Sequence, residues 1–359
     1  MTAEMWEAAG FRARVDEVLR GFVLRESDLL AEIDPALGPV AQELEEAAAT
    51  GKRLRAAFCY WGWRAAGQPD SDALLRAAAA MELVHAAAVV HDDLIDDSPL
   101  RHSRPTAHMA LRAAVAQHPR PGAAARSLAM LVGDLLMSLA GQLFVTSGLP
   151  AAYLGRARPL WAALARELVA GECLEILHTG AEPDTAASLK VVRYKTAKYT
   201  VEQPLLIGGA LAGASERLRE GFSAYGLPLG EAFQLRDDLL GLFGDPALTG
   251  KADVDDVHGR RPTVLLAETW RLAGEEERGL LGELFGGKCR DSGDGLEGRG
   301  GSAEAVREVM RRLRAPERVE ELIAVRVEES LRALDELSMP PAAAGALTAL
   351  AHSAAVRRS

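Results

Sequence analysis

Apolar residues recur every three or four positions along nearly the whole chain, and this spacing predicts amphipathic helices. The segment from Asp72, which can cap the helix, to about Asp97 is an example, because Ala77, Met81 and Val84 lie on neighbouring turns and a proline follows. Alanine, leucine, glutamate and arginine fill most other segments, and alternating β-branched runs are hard to find. The pattern predicts an all-α protein.

The same periodicity predicts a series of further helices. Their approximate ranges are 4–20, 22–33, 40–48, 52–66, 105–117, 123–146, 151–178, 185–211, 215–242, 262–284, 302–334 and 341–355. Residues 286–302 (GGKCRDSGDGLEGRGGS) depart from the pattern, because glycines and small polar residues bury too little surface to become ordered. We expect a flexible surface loop there, and one helical domain over residues 1–359.

Charge limits the class of ligand. The chain has 41 basic and 51 acidic residues, which give a formal net charge of −10. A nucleic-acid backbone would be repelled by such a protein, so nucleic-acid binding is not expected. Any polyanionic ligand would need a local cationic pocket.

Cysteine content and the N-terminal sequence both favour the cytoplasm. Cys59, Cys173 and Cys289 are odd in number and lack CxxC spacing, which argues against a disulfide framework or a zinc site. The N-terminal sequence has no apolar stretch typical of a signal peptide. The longest uncharged run, Leu135 to Gly155, is interrupted by glycine, polar residues and proline, so we expect a buried helix and a turn there, and no transmembrane segment.

The sharpest chemical feature is the sequence HDDLIDD at the end of the predicted apolar helix. At about 100° per residue, Asp92 and Asp96 share one helix face, and Asp93 and Asp97 share the adjacent face. Carboxylates crowded at a helix C-terminus repel one another and oppose the helix dipole. The motif therefore predicts a compensating cation.

A second acidic motif, FQLRDDLLGLFGD, places Asp237 and Asp238 among leucines and phenylalanines. Oxygen ligands without histidine or cysteine suit hard cations, and Mg²⁺ typically takes one or two carboxylates with water and substrate phosphate oxygens. One Asp-Asp pair alone could equally be a solvated helix end. Two pairs with apolar flanks favour magnesium and a phosphate ligand.

Basic residues supply candidates for the cationic pocket. In the sequence GKRLR, Lys52 and Arg55 share a helix face at i, i+3 spacing. Such spacing is weak evidence alone, because basic residues at a helix start are commonly solvated. Further basic residues follow the acidic motifs or lie between them: Arg101, His102, Arg104, Lys195, Lys198 and Lys251.

Taken in order, these motifs resemble those of the trans-isoprenyl diphosphate synthases, the polyprenyl synthetase family. The resemblance rests on GKRLR, on DDLID followed by LRHSRPT, on KTA, on FQLRDD and on GDPALTGK, and it runs from Gly51 to about Thr263. It implies an isoprenoid-synthase fold, in which one large helical bundle surrounds a central apolar cavity. It also implies a homodimer.

The resemblance implies roles for the acidic residues. Aspartate-rich motifs in this family hold three Mg²⁺ ions on an allylic diphosphate. Asp92 and Asp96 would bind the metal on one side and Asp237 on the other, with Asp93 and Asp238 in support.

The resemblance also implies two substrate pockets. Positions that contact the allylic diphosphate are matched by Arg101, Lys195, Thr196, Gln234 and Lys251. The pocket for isopentenyl diphosphate is matched by Lys52, Arg55 and His85. Without the resemblance, His85 would be interpreted as a core histidine, and Thr196 and Gln234 as ordinary helix residues.

Together these roles imply a prenyl transfer. The C–O bond of the allylic substrate ionises, metal and arginine charges stabilise the departing diphosphate, and the double bond of isopentenyl diphosphate attacks the allylic cation. Water would quench that cation, so the reaction needs a dry cavity.

Three positions depart from the family pattern. His102 stands where a second arginine is usual, Gly241 where the second motif usually ends in aspartate, and Arg261 where lysine is common. Asp245, four residues after Gly241, could help only if the helix unwinds there.

Product length is predicted from the residues just before the first motif. Ala88 and Ala87 lie four and five residues before Asp92, and neither would block a tunnel. A bulky aromatic there resembles a short-product stopper in this family. Its absence predicts a product longer than farnesyl, with geranylgeranyl diphosphate (C20) as first choice.

Two other functions remain open from the sequence. A terpene cyclase of related ancestry would keep the metal motifs without needing a second diphosphate pocket, and Lys52, Arg55 and His85 argue against it. A non-catalytic partner subunit of an active synthase would fit the departures at His102 and Gly241.

Overall fold

A computed structural model describes residues 10–101, 103–244, 261–286 and 297–355. Most of these residues are helical, and the prediction of an all-α protein is confirmed. The helices are α1 (Phe11–Ile33), α2 (Gly38–Ala49), α3 (Leu54–Ala65), α4 (Asp72–Ile95), α5 (Ala107–Ala110), α6 (Pro121–Val145), α7 (Ala151–His178), α8 (Thr185–Val192), a π-helix (Arg193–Glu202), α9 (Gln203–Ala212), α10 (Glu216–Phe243), α11 (Val264–Leu272), α12 (Glu275–Gly286), α13 (Glu297–Arg312), α14 (Ala315–Asp335) and α15 (Pro341–Ala355).

Three short elements complete the described fold. A 3-10 helix, Pro35–Leu37, joins α1 to α2. Strands β1 (Leu100–Arg101) and β2 (Arg104–Pro105) form an antiparallel hairpin after the first acidic motif, and they make the one sheet within the described ranges.

The chain divides into two compact units. The first comprises residues up to 159, 204–219 and 338–347, and the second comprises 160–203, 220–337 and the residues from 348 onward. Helices α7, α9, α10 and α15 therefore contribute to both. That the whole chain forms a single domain stays a prediction.

Helix α4 carries the first acidic motif and is anchored at both ends. Ser71 caps its N-terminus, because the Ser71 side chain accepts a hydrogen bond of 3.3 Å from the backbone N–H of Leu74. Asp72, which the sequence suggests as a cap, is instead the first helical residue. At the other end Asp97 adopts a left-handed backbone with φ of 53°, which terminates the helix.

In the first unit, α4 packs against α6. Both helices are long and apolar enough to cross a membrane by length and composition alone, but 72% of the α4 window is buried inside the protein, as in a core helix. After Val145 the chain turns before α7 begins, so the helix and turn predicted over Leu135 to Gly155 are present, but the helix is only partly buried, with 44% of the α6 window inside the protein. The absence of a membrane span stays a prediction.

The second unit has an apolar core built by α8 and α10–α14. Its largest contributors include Leu235, Leu239, Val264, Leu265 and Ile323, which are all buried. Helix α10, which carries the second acidic motif, thus packs its apolar residues into this core.

Several predicted boundaries are wrong. The helix predicted over 105–117 ends at Ala110, because only Leu111 is buried in the segment that follows and a helix there would have no apolar face to pack. The loop predicted over 286–302 extends too far, because Glu297 already begins α13; residues 287–296 lie outside the described ranges.

Candidate active site

The first acidic motif is partly neutralised by a residue of the same unit. Arg101 donates from Nη2 to Asp92 Oδ2 at 3.1 Å and from Nε to Asp93 Oδ1 at 2.7 Å. Asp93 is buried, and Asp92 is 23% exposed. Burial alone would lower the pKa of Arg101, but the two carboxylates raise it above its usual value. Arg101 therefore supplies part of the positive charge that the motif requires.

The last two carboxylates of the motif have different surroundings. Asp96 is half-buried and directly follows the last helical residue of α4. Asp97 pairs with Arg126, which also donates to the backbone carbonyl of Leu94 at 2.8 Å. Asp97 thus fastens the end of α4 to α6, while Asp96 stays a predicted metal ligand.

The GKRLR segment forms a turn that leads into α3. Lys52 is exposed and precedes the first helical residue, Leu54, so the prediction that it shares a helix face with Arg55 is wrong. The backbone between them is not helical, because Arg53 adopts a left-handed conformation with φ of 55°. Arg55 is buried, with 8% exposure.

His85 lies among arginines in the first unit. Burial, followed by the charges of Arg55, Arg101 and Arg53, holds the pKa of His85 well below its ordinary value. His85 is therefore a neutral imidazole at pH 7. The effect of these charges on His85 indicates that Arg55 and Arg101 both lie near it. Arg55 and His85, which are predicted to bind isopentenyl diphosphate, therefore belong to the same region as the arginine of the first acidic motif.

Ala87 and Ala88 differ in their environment although they are adjacent on α4. Ala87 is completely buried, whereas Ala88 is partly exposed. Only Ala88 therefore borders accessible space, which is the property expected of a residue that lines a tunnel.

In the second unit, Lys195 is held by two glutamates that sequence reasoning missed. Lys195 Nζ lies 2.9 Å from Glu172 Oε2 and 2.9 Å from Glu175 Oε1. Burial raises the pKa of Glu175, although Lys195 and Arg261 oppose the shift. The i, i+3 spacing of these two acids on the predicted helix was the available signal.

A chain of hydrogen bonds joins the KTA motif to the second acidic motif. Thr196 Oγ1 donates to Gln234 Oε1 at 2.7 Å, and Gln234 Nε2 donates to Asp238 Oδ1 at 2.8 Å. Asp237, beside Asp238, is half-buried. The sequence-predicted residues Thr196, Gln234 and Asp238 are thus brought into one network.

The lysine and threonine of the KTA motif lie in the π-helix rather than in a continuous α-helix. Short π-helical segments occur frequently at functional sites. Glycines make room for this one on two sides: a Cβ at Gly171 would overlap the backbone of Lys195, and a Cβ at Gly230 would overlap Ala197. The packing of α7 and α10 against the π-helix therefore depends on these two glycines.

Each acidic motif has side chains that fit magnesium bound together with a diphosphate. No group of three histidine, cysteine or acidic side chains is gathered to hold an ion among the residues that the structure describes. A pair of aspartates is sufficient for Mg²⁺, because water and substrate phosphate oxygens complete its coordination. The half-buried Asp92, Asp96 and Asp237 have the all-oxygen chemistry that this ion prefers.

The remaining positions singled out in the sequence lie near or beyond the ends of the described segments. Lys251, His102 and Asp245 lie outside the described residues. Helix α10 continues through Gly241 to Phe243, so it does not unwind at that glycine. Arg261 Nε lies 4.0 Å from Glu175 Oε1.

Comparison with known proteins places these features in context. The polyprenyl synthetase family model matches residues 39–295. The (2E,6E)-farnesyl diphosphate synthase of Mycobacterium tuberculosis H37Rv is 34% identical over 227 residues, which are 62% of this chain and 57% of that enzyme. The chain thus matches less than two thirds of that relative's length. The geranylfarnesyl diphosphate synthase of Aeropyrum pernix is 29% identical over 248 residues, which are 68% of this chain and 73% of that enzyme.

A solved structure shares the fold over almost the full length. The geranylgeranyl pyrophosphate synthase of Corynebacterium glutamicum, complexed with isoprenyl diphosphate and magnesium, superposes with a TM-score of 0.89 and 31% sequence identity. The match covers 98% of this chain and 99% of that one. With a family match over more than half of its residues, the chain belongs to the polyprenyl synthetase family.

Proposed function

We propose that this protein is a magnesium-dependent trans-prenyltransferase that condenses isopentenyl diphosphate with an allylic diphosphate. The main support is the grouping of Arg55, His85 and Arg101 in the first unit. Arg101 also donates hydrogen bonds to the carboxylates of Asp92 and Asp93. A cationic pocket beside a metal-binding acidic motif suits two diphosphate substrates. The Corynebacterium relative, complexed with isoprenyl diphosphate and magnesium, supports the assignment.

The acidic residues would hold the metal. Asp92 and Asp96 in the first unit and Asp237 in the second are the proposed ligands, three Mg²⁺ ions being the number that the family resemblance implies. Asp93 and Asp238 would support them, through Arg101 and Gln234 respectively. Bound magnesium would stabilise the negative charge that develops on the departing diphosphate.

The basic and polar residues would bind and orient the substrates. We assign the isopentenyl diphosphate pocket to Lys52, Arg55 and His85. The residues assigned to the allylic diphosphate are Arg101, Lys195, Thr196, Gln234 and Lys251. Ionisation breaks the allylic C–O bond, and its electron pair leaves on diphosphate. The double bond of isopentenyl diphosphate then forms the new C–C bond, and the released diphosphate accepts the proton that is lost.

We propose geranylgeranyl diphosphate or a longer prenyl diphosphate as product. Ala88 is small and partly accessible on α4, four residues before Asp92, so the growing chain meets no bulky side chain from that position. The named relatives make products of different lengths, so this assignment rests on Ala88 and Ala87 alone.

We further propose a cytoplasmic homodimer. Helix α6 leaves Met130, Leu131 and Val145 exposed by 46%, 54% and 62%, although the helix is strongly apolar. A second copy of the chain could cover this face. Light scattering of the purified protein should give the mass of two chains, and a monomer would contradict the proposal.

A product assay tests the activity. Purified protein with Mg²⁺, labelled isopentenyl diphosphate and allylic primers of several lengths should yield elongated prenyl diphosphates. Hydrocarbon formed from an allylic diphosphate alone would identify a terpene cyclase instead. No condensation with any primer, under conditions in which a known synthase is active, would favour a non-catalytic partner subunit.

A further inference from the structure

Arg53 is a buried arginine in a left-handed backbone conformation, within the turn that carries Lys52 and leads into α3, where Arg55 lies. Its side chain is 3% exposed and its φ is 55°. Non-glycine residues rarely adopt this conformation unless the surrounding structure enforces it, and such strain is concentrated at functional sites. The turn is therefore held in place by contacts outside its own backbone.

The guanidinium of Arg53 makes three of these contacts. Nε donates to Asp16 Oδ1 of α1 at 2.6 Å, Nη2 donates to the carbonyl of Ala48 at 2.8 Å, and Nη1 donates to the carbonyl of Thr50 at 3.0 Å. The last carbonyls of a helix lack intrahelical partners, so Arg53 also caps the C-terminus of α2. One side chain thus ties α1 and α2 to the turn.

Gly51 is part of the same arrangement. Its φ of 145° is a conformation that side chains rarely permit, and a Cβ there would lie 3.1 Å from Arg53 Nη1. The Arg53 guanidinium therefore packs closely over the glycine that precedes Lys52.

A second anchor acts on the other side of the turn. Arg53 occupies the N-cap position of α3 and provides no side-chain cap. Glu82 of α4 caps the start of α3 instead, because its Oε1 accepts a hydrogen bond of 2.8 Å from the backbone N–H of Ala56. Glu82 is 3% exposed and lies three residues before His85. Helix α4 thus fixes both His85 and the start of the helix that carries Arg55.

We propose that Arg53 and Glu82 are positioning residues for the isopentenyl diphosphate pocket. Arg53 holds the strained turn from one side and Glu82 holds the start of α3 from the other, so that Lys52 and Arg55 are presented in a fixed geometry relative to His85. Neither positioning residue needs to contact substrate. The inference rests on the proposed prenyltransferase function.

Positioning can be separated from a general structural role by comparing the two substrates. Arg53→Lys keeps a positive charge but cannot reach all three acceptors, and Glu82→Met keeps the volume but loses the acceptor for Ala56. Each variant should raise the KM for isopentenyl diphosphate about tenfold while the KM for the allylic diphosphate changes less than twofold. Glu82→Gln, whose amide oxygen can still accept that hydrogen bond, should restore most of the affinity.

A matched control comes from the same helix as Asp16. Arg14 pairs with Asp70 and Asp72 on the surface of the first unit. Arg14→Lys should leave both KM values unchanged. Asp16→Ala, which leaves Arg53 itself in place, should raise the KM for isopentenyl diphosphate about threefold and serves as the test if the Arg53 variant does not fold.

Binding of isopentenyl diphosphate should also be measured by calorimetry, without turnover. Weaker binding in the Arg53 and Glu82 variants, at a retained melting temperature, is the expected result. Equal changes in both KM values, or unchanged KM values in a folded Arg53→Lys protein, would overturn the inference. A wild-type protein that neither binds isopentenyl diphosphate nor condenses it would instead refute the proposed function.

Discussion

Gly133 of α6 lies directly against the imidazole of His91, the residue that precedes the first aspartate of the acidic motif. A Cβ at Gly133 would overlap the ring. His91 Nε2 also lies 3.3 Å from the carbonyl oxygen of Met130 and 3.4 Å from Asp134 Oδ1. The position of the His91 ring beside the proposed metal ligands therefore depends on the absence of one methyl group.

Gly133→Ala should displace His91 and with it the start of the motif. We expect turnover to fall about tenfold and the melting temperature to decrease, because the added methyl group overpacks a tight crossing. Gly141→Ala on the same helix is the control. A Cβ there meets nothing within 4 Å, and alanine favours the helix by about 0.5–1 kcal/mol relative to glycine. Equal effects of the two substitutions on turnover would refute the proposed role of the crossing.

Substitutions of Asp92 and Asp97 should have different effects, because Asp92 is proposed to bind metal and Asp97 anchors the end of α4. Asp92→Ala removes a proposed ligand and should lower turnover by about a hundredfold or more, with little change in KM for isopentenyl diphosphate. Asp97→Ala removes the partner of Arg126 and should mainly lower thermal stability. Steady-state kinetics at several magnesium concentrations, together with thermal unfolding, would show both effects. Wild-type turnover in the Asp92 variant would exclude it as a ligand.

Glu172 and Glu175 should weaken the attraction of Lys195 for a diphosphate. Two carboxylates at 2.9 Å offset its charge, so Glu172→Gln should tighten binding of inorganic diphosphate roughly threefold to tenfold. Calorimetry with diphosphate and Mg²⁺ measures this directly. Glu167→Gln is the matched control, because Glu167, also on α7, pairs with Lys198. Unchanged or weaker binding in the Glu172 variant would contradict the prediction.

Product length should respond to Ala88 and not to Ala87. Ala88→Phe introduces an aromatic ring at a partly accessible position and should shift the product distribution toward shorter chains. Ala87→Phe places the same ring at a fully buried position and should chiefly destabilise the protein. Chromatography of the dephosphorylated products tests this, and an unchanged distribution in a folded Ala88→Phe protein would show that the tunnel runs elsewhere.

His85 should make the protein less stable in mild acid. Its folded-state pKa is held well below the ordinary value of about 6.5, so the unfolded chain binds a proton as pH falls through that value while the folded protein does not. The free energy of unfolding therefore decreases below about pH 6.5. In His85→Gln this contribution is absent, so the drop in melting temperature between pH 7.5 and 5.5 should be smaller than in wild type. An identical drop would contradict the assignment, and exposed His118→Gln serves as the control.

Sequence reasoning located the helices well where an apolar stripe was long, as in α4 and α10, because burial of that stripe dominates helix stability. It failed where a particular contact, local or tertiary, decided the outcome. Ser71 rather than Asp72 caps α4, and the segment after Ala110 has no partner helix to pack against. Neither difference is visible in composition.

The candidate site was likewise predicted only in part from the sequence. The acidic motifs and the cations Arg101 and Lys195 were predicted because carboxylates indicate metal binding and basic side chains indicate diphosphate binding. Glu172, Glu175 and Arg53 were not assigned, because each acts through a contact with a residue distant in sequence; the helical spacing of the two glutamates places them near each other but does not identify that partner.

The π-helix has a consequence for comparing or grafting sequences across this family. Its i→i+5 hydrogen bonds shift the helix phase between the residues before Arg193 and those after Glu202. Shortening the segment by one residue would favour ordinary α-helical pairing and rotate one flank by about 100° relative to the other. Lys195 and Thr196 could then keep their identities yet point away from Glu172 and Gln234. The phase of the helix is thus as much a part of the inherited site as the residues themselves.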